Sequence, residues 1–261
     1  MSEWEGTGAA YAVSFAGLTG GVASAVMDEI GVHVAAGTLL DVGAGSGALT
    51  AEAIARGFEV SAAEPEPSMR TVLRAAFPSI EVSAGALPSL GFADASFDVV
   101  TANFVLNHVE SPRAAARELF RVTRPGGVVA ATIWPQGASP LRPVWEAMAT
   151  TVGEPLGTAL PPVEDFPRSA EGLVSLFTDA GARDVATTTP AWTWQVSSGS
   201  LWTAVEGGIA SIGNLYRRVG PSAKQRIRAS FDDHMAALAG ASTGDETIDL
   251  PHRAILAVGR R

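Results

Sequence analysis

Between residues 39 and 133, short apolar runs alternate with segments of helical period. LLDVGAG (39–45) is an apolar run that ends in glycines, and SGALTAEAIARG (46–57) places Leu49, Ala53 and Ile54 on one face before a terminal Gly57. Glycine just past the last periodic residue is a helix stop. FEVSAAE (58–64) reads as a strand ending on a carboxylate, and PSMRTVLRAAF (67–77) as a helix with Pro67 and Ser68 at its start. IEVSAG (80–85) and SFDVVTANF (96–104) are two more strands. SPRAAARELFRVTRPGG (111–127) is a helix opened by Ser-Pro and closed by Pro-Gly-Gly, followed by the fully apolar strand VVAATIW (128–134). Strands in alternation with helices predict a parallel sheet covered by helices on both faces.

Past residue 134 the rhythm changes. PQGASPLRP (135–143) and GEPLGTALPPVEDFP (153–167) are Pro/Gly-rich connections, and EGLVSLFTDAGA (171–182) is a helix stopped at Gly181. RDVATTTPAWTWQV (183–196) alternates like a strand, with Pro190 marking an edge or a bulge. SGSLWTAVEGGIASIG (198–213) and SAKQRIRASFDDHMAAL (222–238) are helical, and HRAILAVGRR (252–261) is a last strand. Together these predict an antiparallel edge pair interrupted by a helical insertion, 198–239. The whole chain reads as one domain: a lead-in lid (1–35), a core (36–134), a connection and helix (135–182) and the C-terminal strands with their insertion (183–261).

Composition narrows the class. The 261 residues are 47% hydrophobic and 17% charged, which excludes a disordered chain. Cysteine is absent, which excludes a disulfide framework, thiolate metal sites and thiol catalysis. The net charge of −9 argues against nucleic-acid and anionic-membrane partners. The N-terminal MSEWEGTGAA lacks the basic and apolar regions of a signal peptide, and no run reaches the ~20 apolar residues of a membrane span. The expectation is a soluble, cytoplasmic protein.

Asp41-Val42-Gly43-Ala44-Gly45-Ser46-Gly47 joins a strand to a helix. Gly43 and Gly45 let the backbone turn and approach a ligand closely, and the helix start aims free N–H groups at it. Read as Gly43-x-Gly45-x-x-Ala48, the loop also satisfies the relaxed dinucleotide fingerprint. Its surroundings point elsewhere. A carboxylate at Asp41 adds nothing to a pyrophosphate cradle but suits a ligand with an ammonium group. Glu64 closes the next strand, about 20 residues after Gly43, where a carboxylate accepts both ribose hydroxyls. The combination predicts a nucleoside with a cationic tail.

LLDVGAGSG, Glu64, LGFADASFDVV, NFVLNHV and RPGG, in that order, resemble the class I S-adenosylmethionine-dependent methyltransferases, in particular the ubiquinone/menaquinone-biosynthesis type that acts on small molecules. The resemblance covers roughly residues 35–134. It implies a Rossmann-like, seven-stranded, mostly parallel α/β sheet with an antiparallel C-terminal hairpin. It also implies that Gly43, Ala44 and Gly45 lie under the methionine moiety, beside the Asp41 already read as a partner for an ammonium group. Glu64 would hold the ribose, with Pro65 beside the adenosine, and Asn103 would offer its backbone carbonyl to the ammonium. Related sequences carry Gly-Asp-Ala where this chain has Gly85-Ala86-Leu87. The adenine contact then falls to the backbone of Ala86 and Leu87, one hydrogen bond fewer, or ~0.5–1.5 kcal/mol net.

Methyl transfer from a sulfonium needs the nucleophile held ~3–3.5 Å from the methyl carbon in line with the breaking bond. A general base adds about 10²–10⁴-fold for a hydroxyl or amine nucleophile. His108, in NFVLNHV after the fourth strand, is the candidate base or substrate contact, against a plain helix-end role. His234, His252 and His33 are expected at the surface. Tyr11, with Trp4 in the same lead-in, is a candidate to close over the donor, where a ring face favours a sulfonium; lid packing is the alternative. All six tryptophans lie outside 39–133, which suits an apolar or aromatic acceptor pocket in the cap. The basic run Arg217, Arg218, Lys224, Arg226 and Arg228 reads first as a solvated helix face.

The expected function is transfer of a methyl group from S-adenosylmethionine, leaving S-adenosylhomocysteine, to a small apolar or aromatic acceptor. No metal is expected, because no His/Asp/Glu cluster has ligand spacing. A homodimer is compatible with this reading. Two alternatives stand beside it. One is a protein that binds the nucleoside without transferring methyl, as a cyclase, a rearrangement catalyst or a sensor. The other is a nicotinamide-dependent oxidoreductase, disfavoured because neither Tyr11 nor Tyr216 sits in a Tyr-x-x-x-Lys arrangement.

Overall fold

A computed structural model describes residues 4–137, 139–156, 161, 164–239 and 247–261. Its main sheet is built from β1 (Thr38–Val42), β2 (Glu59–Ala63), β3 (Glu81–Ser83), β4 (Phe97–Asn103), β5 (Thr123–Ile133), β6 (Arg183–Thr188) and β9 (Ile255–Arg260). The strand order is β3-β2-β1-β4-β5-β9-β6. The first five strands run parallel, and β9 is antiparallel to both β5 and β6. The order reverses between β1 and β4, so their C-terminal ends flank a topological switch point, where α/β sheets bind ligands.

The continuous apolar runs seen in the sequence follow from burial of both sheet faces. Leu40, Val100 and Val129 point to one face, packed by α6 (Pro112–Val122) and α8 (Ala170–Asp179) through Leu119, Leu173 and Phe177. Leu39, Val99 and Val128 point to the other, packed by α3 (Ala23–Gly31) and α4 (Ala48–Ala55) through Val26, Ile30 and Leu49. Each such side chain contributes roughly 1.5–3 kcal/mol relative to exposure. The lead-in therefore divides. α1 (Gly8–Ala12) and α2 (Phe15–Gly20) reach the switch point, whereas α3 belongs to the core.

Several elements differ from the sequence reading. The helix expected over 111–127 ends at Val122, and β5 starts at Thr123, because Thr123 already pairs with Phe97 and a register shift absorbs the Pro-Gly-Gly segment. The segment 183–196 is two strands: β6, and β7 (Ala191–Ser197), split at Pro190. The last strand is likewise split at Ala254 into β8 (Thr247–Arg253) and β9. β7 and β8 form a separate antiparallel ribbon, so one long hairpin is shared between two sheets. Ala254 N donates to Pro190 O at 3.0 Å across the joint.

Between the ribbon's strands run α9 (Ser198–Glu206), α10 (Ala210–Arg218) and α11 (Pro221–Ala239). The helix expected over 198–213 is thus two, broken where Gly208 takes a φ of +80°. A further helix, α7 (Arg142–Thr150), lies in the stretch read as connections. With α7 these form a second core of Met148, Trp194, Trp202, Ile227, Phe231 and Leu250. The basic run is mostly absorbed here. Arg228 lies over Trp202 and pairs with Asp232, Lys224 lies over Tyr216, and Arg226 donates to Thr151 O.

Candidate active site

The glycine loop is fixed by strand β2. Gly43 N donates to Ala63 O at 2.7 Å, and Gly47 N to Ala44 O at 2.9 Å. Gly43 has φ +65°, and a Cβ there would lie 2.5 Å from Val105 Cγ2. Gly47 has φ +93°, and its Cβ would lie 2.4 Å from the Phe77 ring. Only glycine satisfies both the left-handed backbone and the close neighbours. The helix α4 then begins at Ala48, two residues later than the sequence suggested.

Asp41 is 1% exposed, and its carboxylate accepts from Thr50 Oγ1 at 2.7 Å and Thr101 Oγ1 at 3.1 Å. Thr101 faces it because β1 and β4 pair in that register. Burial pushes the Asp41 pKa up to about 6 against the two hydroxyls, and the charge of Glu64 raises it further. Glu64, 6% exposed, accepts from Gly45 N through Oε2 and from Glu66 N through Oε1, each at 2.9 Å. Burial raises its pKa as well, partly offset by those two bonds. Pro65 is exposed beside it.

Glu66 is a residue the sequence reading passed over. It caps α5 (Pro67–Ala76), accepting from Ser68 N and Met69 N, and it also accepts from Gly6 N at 2.7 Å. Gly8 N donates to Ser68 Oγ at 2.8 Å. The same turn that carries Glu64 thus anchors the lead-in. An acid directly before Pro at a helix start was the available signal.

Tyr11 stands over the glycine loop, its ring 3.4 Å from where a Gly45 Cβ would sit. Its hydroxyl shares a 2.7 Å hydrogen bond with Thr19 Oγ1. Burial pushes its pKa up to about 12, so it remains a phenol at neutral pH and serves as a ring face or hydrogen-bond group rather than a base. Asn103 donates through Nδ2 to Thr19 O at 3.0 Å and accepts from Thr132 Oγ1 at 2.6 Å. Tyr11, Thr19, Asp41, Gly43, Ala44 and Asn103 line one small pocket of about 20 Å³. That is room for a water rather than a nucleoside.

Ala86 and Leu87 lie farther along the same edge. Ala86 is exposed, and its carbonyl is taken by Ser89 N at 2.7 Å, which leaves N–H groups rather than that carbonyl for an adenine. His108 is exposed, and its ring meets Trp4 edge-on at 5.1 Å; Trp4 in turn meets Tyr11 at 6.1 Å. His108 and Tyr11 are therefore bridged by a lead-in aromatic, outside the small pocket in the case of His108.

One histidine contradicts the surface expectation. His252 is only 5% exposed, held within the rings of Trp134, Trp192 and Trp194, and burial lowers its pKa to about 4. Its Nε2 and the Nε1 of Trp192 are buried without hydrogen-bond partners. His33 is half-buried at the end of α3. Phe104, next to Asn103, takes φ +59° while its N–H donates to Thr132 Oγ1 at 2.9 Å. That uncommon conformation for a bulky residue stacks its ring on Trp134 at 3.8 Å. Trp134 also borders a second cavity, of about 790 Å³, between α7 and α10. Among the described residues no group of His, Asp or Glu is placed to hold a metal ion, and no helix is long and apolar enough to cross a membrane.

The sheet order and the glycine loop after β1 define a Rossmann-like, mostly parallel α/β fold. Residues 40–131 match the family model described as a methyltransferase domain. Demethylmenaquinone methyltransferase of Renibacterium salmoninarum is 39% identical over 102 residues, 39% of this chain and 43% of that one. The chain spans about half the length of the curated relatives it matches. In fold, it is similar to the YcgJ protein of Bacillus subtilis, with TM-score 0.56 and 19% identity, covering 92% of this chain and 97% of that one. It is also similar to Haemonchus contortus phosphoethanolamine N-methyltransferase 2, solved with S-adenosyl-L-methionine, with TM-score 0.53 and 14% identity, covering 91% of this chain and 51% of that one.

Proposed function

We propose that this protein transfers a methyl group from S-adenosylmethionine to a small acceptor. The observation that carries the reading is the buried Glu64 carboxylate. It is clamped to Gly45 N and Glu66 N beside a glycine loop whose other flank is the buried Asp41. Glu64 retains lone pairs for a ribose, and Asp41 supplies negative charge for an ammonium group. A sulfonium donor supplies a methyl group already activated by its positive charge. The chain's own work is positioning and exclusion of water. Asp41, Gly43, Ala44, Gly45, Glu64, Pro65 and Asn103 hold the donor, with the N–H groups of Ala86 and Leu87 at the adenine end. Tyr11 and Thr19 cover it, and with a pocket of about 20 Å³ donor entry requires α1 and α2 to lift. His108 stands at the rim, its pKa lowered to about 4 by desolvation, so it is a neutral imidazole at pH 7 that contacts an acceptor and is a weak proton acceptor. The acceptor is small, the setting cytoplasmic, and the acidic chain a poor partner for nucleic acid. A homodimer is compatible with this scheme.

Calorimetric titration with S-adenosylmethionine and S-adenosylhomocysteine, with NADH and NADPH as controls, tests the reading. Micromolar binding of both sulfur nucleosides, about −8 kcal/mol, is expected, with no response to the nicotinamides. Glu64→Gln, which keeps the shape of the turn, weakens both by roughly tenfold or more, the scale of one charge-assisted hydrogen bond. Absence of binding near millimolar concentration refutes the function.

A further inference from the structure

The cavity of about 790 Å³ has the size of a small-molecule site. Its lining includes two indoles, Trp134 and Trp145, with Ile212 between the cap helices. Each indole is backed by a phenylalanine: Trp134 stacks on Phe104 at 3.8 Å, and Trp145 lies parallel to Phe231 at 6.4 Å. The backing fixes the rings and leaves their remaining surface to the cavity. Among the described residues, the charged groups of the lining are Arg142, Glu146 and Glu154. Arg142 Nε is bonded to Glu146 Oε1 at 2.6 Å, so that pair is neutral and Glu154 leaves a surplus negative charge. Rigid aromatic faces with an excess carboxylate attract cations and repel anions.

The inner wall also has a defined relation to the donor side. Trp134 follows directly on β5, and its N–H donates to Asn107 Oδ1 at 3.0 Å. Phe104, against which it stacks, follows Asn103 of the small pocket. One aromatic layer separates the cavity wall from the residue expected at the donor's ammonium group.

We propose that this cavity binds a planar aromatic molecule carrying a cationic nitrogen, at a site separate from the donor pocket. Carboxylate- and phosphate-bearing aromatics are disfavoured by the Glu154 charge.

Three probes of one ring system test this on the full chain by calorimetry: tryptamine, indole and indole-3-acetate, each with and without saturating S-adenosylhomocysteine. Tryptamine binds more tightly than indole by about fivefold, the scale of an exposed charge contact with a cation–π contribution, and indole-3-acetate binds least. Glu154→Gln, an exposed substitution, removes the preference for tryptamine and leaves indole unchanged. Trp145→Leu weakens all three. The proposal is overturned if indole-3-acetate binds best, if Glu154→Gln leaves the tryptamine preference intact, if the sulfur nucleoside competes with tryptamine, or if none of the three binds at millimolar concentration. Binding of the sulfur nucleoside without the indoles removes this inference and leaves the donor reading standing. Binding of the indoles in the expected order without the sulfur nucleoside keeps the site and removes the methyl-transfer role.

Discussion

The two halves of the molecule handle buried polarity in opposite ways. In the sheet half, Asp41, Glu64, Glu66, Thr101 and Thr132 are buried and all are hydrogen-bonded. In the cap half, the two buried side-chain atoms without partners among the described residues, Trp192 Nε1 and His252 Nε2, sit side by side among stacked rings. A hydrogen-bonded interior is specified atom by atom and tolerates little change. A ring-packed interior is specified mainly by volume and accepts redesign more readily. On the proposed function, the difference suits a half that recognises one fixed ligand joined to a half that determines what else is admitted.

The largest expected effect comes from opening the cap. Phe231 is 1% exposed and touches Trp145 and Trp202, so Phe231→Ala costs about 3–5 kcal/mol in urea unfolding. Titration of S-adenosylmethionine at temperatures where the variant is folded should return the unmodified affinity. An equal loss of donor affinity would show that the halves are not separable.

Next is the pH dependence of donor binding. The Asp41 carboxyl, with a pKa of about 6, is progressively protonated below that pH and loses its charge for an ammonium group. Affinity for S-adenosylmethionine should fall by roughly tenfold per pH unit well below 6, as linkage of one proton requires. Asp41→Asn should flatten this profile while lowering affinity throughout. A profile in the unmodified protein already flat from pH 7 to 5 would detach Asp41 from the ligand.

Stability should show opposite pH signatures in the two halves. Asp41 has a folded pKa raised above the ordinary 3.8, so its contribution is present at low pH and lost as pH rises through 6. His252 has a folded pKa lowered from 6.5 to about 4, so the unfolded chain binds its proton more readily. Its contribution is present above 6.5 and lost as pH falls toward 4. His252→Phe removes that acid sensitivity and one orphaned nitrogen. At pH 7 it should leave stability within about 1 kcal/mol of the unmodified chain, since replacing an unsatisfied polar group by an apolar one is near neutral. Unfolding curves at pH 5 and pH 7 decide it: an unchanged pH 5 deficit would place the sensitivity elsewhere.

Much of the sheet half was legible because its elements announce themselves locally. Apolar runs mark strands buried on both faces, and Gly43, Gly45 and Gly47 mark the turn between β1 and α4. The partners of the site were less legible. Thr50 and Thr101 reach Asp41 only through helix phase and strand register, and Glu66 reaches Gly6 across 60 residues. The cap was read worst. α7 begins with Arg142-Pro143 amid Pro/Gly-rich sequence that masks its helical period, and nothing local says that 183–196 serves two sheets. His252 looked like a surface residue because burial beside three tryptophans is a tertiary property.

The paired breaks at Pro190 and Ala254 give the fold a seam. On one side β6 and β9 remain a complete antiparallel pair; on the other, residues 191–253 leave and return through two adjacent points held by a single backbone hydrogen bond. Seen along the chain, the ribbon and its helices are a cartridge seated in the sheet's final hairpin. The cartridge shares its core with α7, so a chimaera that exchanges residues 191–253 together with α7 keeps β9 between β5 and β6.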